Sequence, residues 1–161
     1  MMRSRLVLLV EDNGDDAELA RRAFAISRVP SRVVVASDGE EALDYLFAEG
    51  AHAGRAAQDA PDVVLLDLKL PRLDGHEVLR RIRADDRTCR LPVVVLTSSA
   101  EERDIRESYN EGANSYVRKP LDLNDFLRAV AQLSEYWLHR NEIAWDWSRG
   151  AGLPAGEVPG I

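Results

Sequence analysis

Carboxylates, a hydroxyl and an amine stand at the ends of four short apolar runs in this chain. Leu6-Val7-Leu8-Leu9-Val10 is followed by Glu11-Asp12, and Val63-Val64-Leu65-Leu66 by Asp67. Val93-Val94-Val95-Leu96 is followed by Thr97, and Tyr116-Val117-Arg118 by Lys119-Pro120. Three carboxylates brought to one place raise each other's pKa values and oppose folding unless a cation joins them. An all-oxygen donor set with room for water and phosphate suits Mg²⁺. Beside such an ion Asp67 is placed to act as a nucleophilic carboxylate toward a phosphoryl group. Thr97 and Lys119 supply a hydrogen-bond donor and a positive charge for phosphoryl oxygens. The loop Glu11-Asp12-Asn13-Gly14-Asp15-Asp16 has neither the glycines nor the cation of a phosphate cradle, and would repel a bare phosphate. Singly, each of these residues is ordinary, since an Asp at a strand end is most often a turn former or a helix N-cap. Their joint placement is what points to function.

The elements that must position them follow from the patterning. The four runs are short, β-branched and bounded by turn residues, as strands buried on both faces of a parallel sheet are. In an open α/β sheet the site lies just beyond the carboxyl ends of the strands. Between the runs the period becomes helical: Asp15 to Ser27, Asp38-Gly39 through Phe47, Gly75 to Ala84, Ala100 to Asn110 and Leu123 to Leu138. Arg32 to Ala36 reads as a further strand. In the last helix Leu123, Phe126, Leu127, Val130, Leu133, Trp137 and Leu138 form one stripe behind an Asp122 N-cap. Ala100 to Asn110 has only Ile105 and Tyr109 as larger apolar anchors. The βαβαβαβαβα order with right-handed crossovers gives an α/β fold, a five-stranded parallel sheet with helices on both faces. Glu49 to Pro61, rich in Ala and Gly, is expected to be a mobile connection. Gly150 to Ile161 reads as a flexible tail.

With 161 residues the chain suits one domain with a real core, and 45% hydrophobic with 30% charged residues is a soluble globular composition. A net charge of −7 argues against nucleic-acid binding, which needs clustered cations. No apolar stretch approaches the ~20 residues of a membrane span, and Arg3 and Arg5 precede too short a run for a signal peptide. The single cysteine, Cys89, fits a reducing cytoplasm.

From Leu6 to Leu138 the chain resembles a receiver domain of the two-component response-regulator family. The resemblance rests on five pieces in order: Glu11-Asp12; Leu65-Leu66-Asp67-Leu68-Lys69-Leu70-Pro71-Arg72-Leu73-Asp74-Gly75; Pro92-Val93-Val94-Val95-Leu96-Thr97-Ser98; Tyr116-Val117-Arg118; and Lys119-Pro120. It implies a flavodoxin-like (βα)5 sheet of order 2-1-3-4-5. It implies that Asp67 accepts a phosphoryl group from a histidine kinase, and that Asp12, Asp67 and the Lys69 carbonyl bind Mg²⁺, with Glu11 acting through a metal-bound water. Thr97 and Lys119 would contact the phosphate, Tyr116 would be the aromatic switch, and the Lys119-Pro120 bond would be cis. The side chains of Lys69 and Ser99 would tune the attack of water on the aspartyl phosphate. Asp38-Gly39-Glu40-Glu41-Ala42-Leu43-Asp44-Tyr45-Leu46, the long Gly/Ala connection, Lys119-Pro120-Leu121-Asp122-Leu123 and Glu135-Tyr136-Trp137-Leu138 are similar to the single-domain regulators that partner phytochrome-type histidine kinases. That subgroup often has Asn where this chain has Lys69.

The expected organisation is a receiver at residues 1–140 and a C-terminal extension at 141–161, with no enzymatic activity beyond its own phosphotransfer and dephosphorylation. Trp145 and Trp147 fall in the extension, where aromatic anchors favour interfaces. A homodimer through the fourth-strand-to-last-helix face and this extension is expected. His52, His76 and His139 lack zinc-site spacing and read as surface or loop residues. Two rival readings are weaker. A haloacid-dehalogenase-like aspartyl-phosphate phosphatase would want an acid two residues after Asp67, where Lys69 stands. A flavodoxin-like binding module is opposed by the acidic first loop.

Overall fold

The computed structural model describes residues 4–143. Its strands are β1 (Arg5–Val10), β2 (Ser31–Ala36), β3 (Val63–Leu66), β4 (Val93–Thr97) and β5 (Ser115–Arg118). Its helices are α1 (Gly14–Ile26), α2 (Gly39–Phe47), α3 (Gly75–Ala84), α4 (Glu102–Asn110) and α5 (Leu123–Ser134). The strands pair in parallel in the order β2-β1-β3-β4-β5, as the resemblance implied.

Alternation along the strands divides the core in two. Leu6, Leu8, Val10, Val64, Leu66 and Val93 pack with Leu43, Leu46, Val78, Leu79 and Ile82 of α2 and α3. Val7, Leu9, Val63, Leu65, Val94 and Leu96 face the opposite way, onto Ala20 and Phe24 of α1 and Phe126 and Val130 of α5. The central strands β3 and β4 are buried along their whole length, but β5 is only half-buried because it is an edge strand.

Four helices begin on an Asx cap whose side chain accepts backbone N–H groups. Asn13 takes those of Asp15 and Asp16, Asp38 that of Glu41, Asp74 that of Glu77, and Asp122 that of Asp125. Helix α4 starts at Glu101 with no side-chain cap and buries only Ser108. Its two expected anchors do not serve: Ile105 is half-buried and Tyr109 is exposed.

Three expectations change. The Glu49 to Pro61 connection contains short 3-10 turns at Gly50–His52 and Ala57–Asp59. The Arg55 guanidinium pins it by donating to the carbonyls of Tyr45, Leu46 and Ala56, and the Tyr45 hydroxyl donates to the Asp59 carbonyl. A connection of small residues is thus held by one long cation meeting the end of α2. The last helix is α-helical only to Ser134 and continues as a π-helical segment, Glu135–Arg140. Leu123, expected on its core stripe, is exposed. Trp145 and Trp147 lie outside the described residues.

Candidate phosphoacceptor site

Backbone hydrogen bonds between strand ends bring the four segments together. The N–H of Glu11 donates to the Ala36 carbonyl, that of Asp67 to Val10, and that of Lys119 to Thr97. The Gly75 N–H reaches back to the Leu68 carbonyl, closing the loop after β3. A Cβ on Gly75 would lie 2.3 Å from the Asp67 carbonyl oxygen, so only glycine lets α3 start this close to the acid.

Asp67 is the hub. Its Oδ1 accepts from the Thr97 hydroxyl at 2.9 Å and the Lys69 N–H at 3.2 Å, and its Oδ2 accepts from Lys119 Nζ at 3.0 Å. Lys119 also donates to Glu11 Oε1 and, at 3.1 Å, to Asp16 Oδ2. Glu11, Asp67 and Thr97 are buried, while Asp12 is exposed at the rim. Tyr116 donates to the Ser99 carbonyl at 2.8 Å, tying β5 to the loop after Thr97.

The electrostatics separate two buried acids. Burial, and then the hydrogen bond to Asp67, push the Glu11 carboxyl up to about 8 against the pull of Lys119. Burial would also raise Asp67, but its hydrogen bond with Glu11, the charge of Lys119 and the Thr97 hydroxyl together hold it below the usual range. The result is an ionised carboxylate braced by an ammonium group and a hydroxyl. The Lys119 ammonium is disfavoured by burial but held charged by Glu11 and Asp67.

Glu11, Asp12 and Asp67 each offer a carboxylate oxygen, and these oxygens lie within 4.8 Å of one another. Glu11 Oε2 is buried without a hydrogen-bond partner. A hard-oxygen donor set with one unsatisfied buried oxygen fits a divalent cation such as Mg²⁺.

The predicted residues Glu11, Asp12, Asp67, Lys69, Thr97, Tyr116 and Lys119 therefore converge. One expectation is corrected: no cis peptide bond occurs among the described residues, so Lys119-Pro120 is trans. Trans is the lower-energy form of an X–Pro bond by about 0.5–1 kcal/mol, and in it the Lys119 amine already reaches Asp67. Sequence reasoning missed Asp16 as a Lys119 partner, although its place in the acidic first turn of α1 was a usable signal. It also missed His76, which is half-buried between Asp104 and Glu111.

Residues 7–131 match the family model described as the response regulator receiver domain. The chain is 43% identical over 147 residues to the probable methanogenesis regulatory protein FilR2 of Methanothrix harundinacea, covering 91% of this chain and 88% of that one. It is 34% identical over 134 residues to the response regulator Rcp1 of Synechocystis sp., covering 83% and 89% respectively. The Mn²⁺-bound form of Rcp1 superposes with a TM-score of 0.81 at 33% identity, over 86% of this chain and 98% of that one. The phosphorylated cyanobacterial phytochrome response regulator RcpA superposes with a TM-score of 0.83 at 40% identity, over 89% of this chain and all of that one. An order 2-1-3-4-5 parallel sheet with acids, a hydroxyl and a lysine at its strand ends defines a phospho-signalling receiver fold. The chain belongs to the response-regulator receiver family. None of its described helices is long and apolar enough to cross a membrane.

Proposed function

We propose that Asp67 is the phosphoacceptor of a Mg²⁺-dependent phosphorelay fed by a histidine kinase, with residues 1–140 as the receiver and 141–161 as its extension. The observation that carries this reading is the triple hold on Asp67: Thr97 and Lys69 on one oxygen, Lys119 on the other. The Asp67 carboxylate attacks phosphorus, a P–O bond forms, and the P–N bond to the kinase imidazole breaks. Asp12, Asp67 and the Lys69 carbonyl, with Glu11 through water, are the residues to hold Mg²⁺; Rcp1 in its Mn²⁺-bound form is a relative with a metal in this fold. Bound there, the ion supplies positive charge against the phosphoryl oxygens. Lys119 adds its own charge, and Thr97 turns its hydroxyl from Asp67 to a phosphoryl oxygen, with Tyr116 following as the switch.

The kinase is of the phytochrome type, a reading supported by likeness to the phytochrome response regulator RcpA over nearly the whole described chain. The protein works in the cytoplasm as a signalling partner rather than as an enzyme acting on other substrates. Lys69, exposed two residues after Asp67, offers no carboxyl for the acid step of a phosphatase. Incubation with acetyl phosphate or a phytochrome-type kinase and Mg²⁺ tests the proposal. Wild type is expected to become labelled and Asp67→Asn to remain unlabelled; equal labelling of the two would overturn it.

A further inference from the structure

Outside the phosphoacceptor cluster, His76 in the first turn of α3 has a carboxylate at each ring nitrogen. Its Nδ1 lies 2.7 Å from Glu111 Oε2 and its Nε2 lies 3.2 Å from Asp104 Oδ1. Glu107 stands 3.9 Å from the same Nε2. A carboxylate only accepts, so a ring with an acid at each nitrogen is satisfied in the doubly protonated, cationic form. Asp104 and Glu107 of α4 and Glu111 at its C-cap line one face, spaced three and four residues apart. The other charges acting on this contact are Arg80, which donates to Glu111 Oε1 at 2.8 Å and is shared with Glu77, and Lys69, whose charge acts on Asp104.

This ion cluster fixes α4 where apolar packing does not, because Ser108 is the helix's only buried residue. It also reaches the phosphorylation site. The second oxygen of Asp104 accepts the Ser99 hydroxyl at 2.6 Å. Ser99 is buried; its N–H donates to Thr97 Oγ1 at 3.4 Å and its carbonyl accepts from Tyr116. Thr97 in turn donates to Asp67. An unbroken hydrogen-bonded chain therefore runs from the His76 ring through Asp104, Ser99 and Thr97 to the phosphoacceptor.

We infer that His76 is a positioning residue of the phospho-switch: its imidazolium clamps α4 through Asp104 and Glu111 and thereby holds Ser99 and Thr97 in their unphosphorylated arrangement. The inference rests on the reading of Asp67 as phosphoacceptor. Phosphorylation draws the Thr97 hydroxyl from Asp67 to a phosphoryl oxygen and pulls Ser99, with the Asp104 carboxylate that accepts its hydroxyl, away from the His76 ring. By linkage, the proton on His76 and the phosphoryl group on Asp67 oppose one another. Burial lowers the His76 pKa, but the hydrogen bonds to Glu111 and then Asp104 more than offset it, so the ring titrates above its usual value. The response of the switch to pH thus falls above the ordinary imidazole value of 6.5.

NMR titration of the His76 ring in the full chain, with and without Mg²⁺ and beryllium fluoride as the phosphoryl mimic, tests this directly. The expected result is a His76 pKa lowered by at least about half a unit in the loaded form, equivalent to about threefold in the phosphorylation equilibrium across the titration. With acetyl phosphate, the wild-type ratio of phosphorylated to unphosphorylated chain should rise by up to about threefold with pH relative to His76→Gln. In Asp104→Asn the ring keeps its Glu111 contact but its titration should no longer respond to loading. An unchanged or raised His76 pKa on loading, in a protein that loads normally, overturns the inference alone. Failure of the wild type to load or label overturns the Asp67 reading together with it.

Discussion

Lys119 shows how much of the site depends on one charge. Its amine is the common donor to Glu11, Asp16 and Asp67, and its side chain is only 11% exposed. Replacing it with methionine keeps the volume but leaves buried carboxylates without their cation. A loss of about 3 kcal/mol at pH 8 is expected, from the cost of breaking a buried pair by removing one partner. Mg²⁺ should restore much of it, because the same carboxylates then share the ion; thermal melts of Lys119→Met with and without Mg²⁺ measure both effects. The quartet of strand-end residues was legible in the sequence because each follows an apolar run, and the sheet geometry does the rest. The His76–Asp104–Ser99 link was not. His76 lies 28 and 35 residues from its two acids, and no spacing rule connects separate helices. The usable clue was the acidic stripe Asp104, Glu107 and Glu111, which needs a cation opposite.

At the scale of elements, glycine and histidine govern how α3 docks. A methyl group on Gly75 would meet not only the Asp67 carbonyl but also Leu68 Cα at 2.6 Å, and both are backbone atoms that cannot yield. Gly75→Ala should therefore cost about 1–3 kcal/mol in urea unfolding and slow labelling by acetyl phosphate, because the collision moves Asp67 itself. His76 makes a stability contribution with a definite sign. Its folded pKa is raised above the ordinary 6.5, so the folded chain holds the proton more tightly than the unfolded one. That contribution is complete below 6.5 and disappears as pH rises through the folded value. The stability gap between wild type and His76→Gln should be widest in mild acid and narrow toward alkaline pH; a gap independent of pH would remove the ion cluster as its cause. Strands β1, β3 and β4 were readable because a short β-branched run with no polar face can be buried only between two helical layers. Helix α4 was placed correctly for a partly wrong reason: Ile105 and Tyr109 do not anchor it, and the polar contacts that do are invisible to hydrophobic periodicity.

On the whole molecule, exposed apolar side chains are unevenly distributed. Among the described residues the large exposed hydrophobics are Ile26, Tyr109, Leu121, Leu123 and Tyr136, and all but the first lie from α4 to the π-helical segment after α5. Leu121 is 99% exposed and Tyr109, Leu123 and Tyr136 are each 51% exposed, more than a chain needs for packing against itself. The same region contains β5, whose outer edge pairs with no other strand of the sheet. These features support self-association through the β4-to-α5 face, next to Thr97 and Tyr116. Sedimentation equilibrium of the full chain should show a dimer. Leu121→Asp with Leu123→Asp should weaken it by at least about tenfold, since two charges would have to be desolvated where two leucines were buried. A chain ending at Arg140 separates this face from the extension that bears Trp145 and Trp147: undiminished association there assigns the dimer to the face alone. A wild type that stays monomeric, or a double variant that associates as tightly, would leave the exposed leucines to another partner.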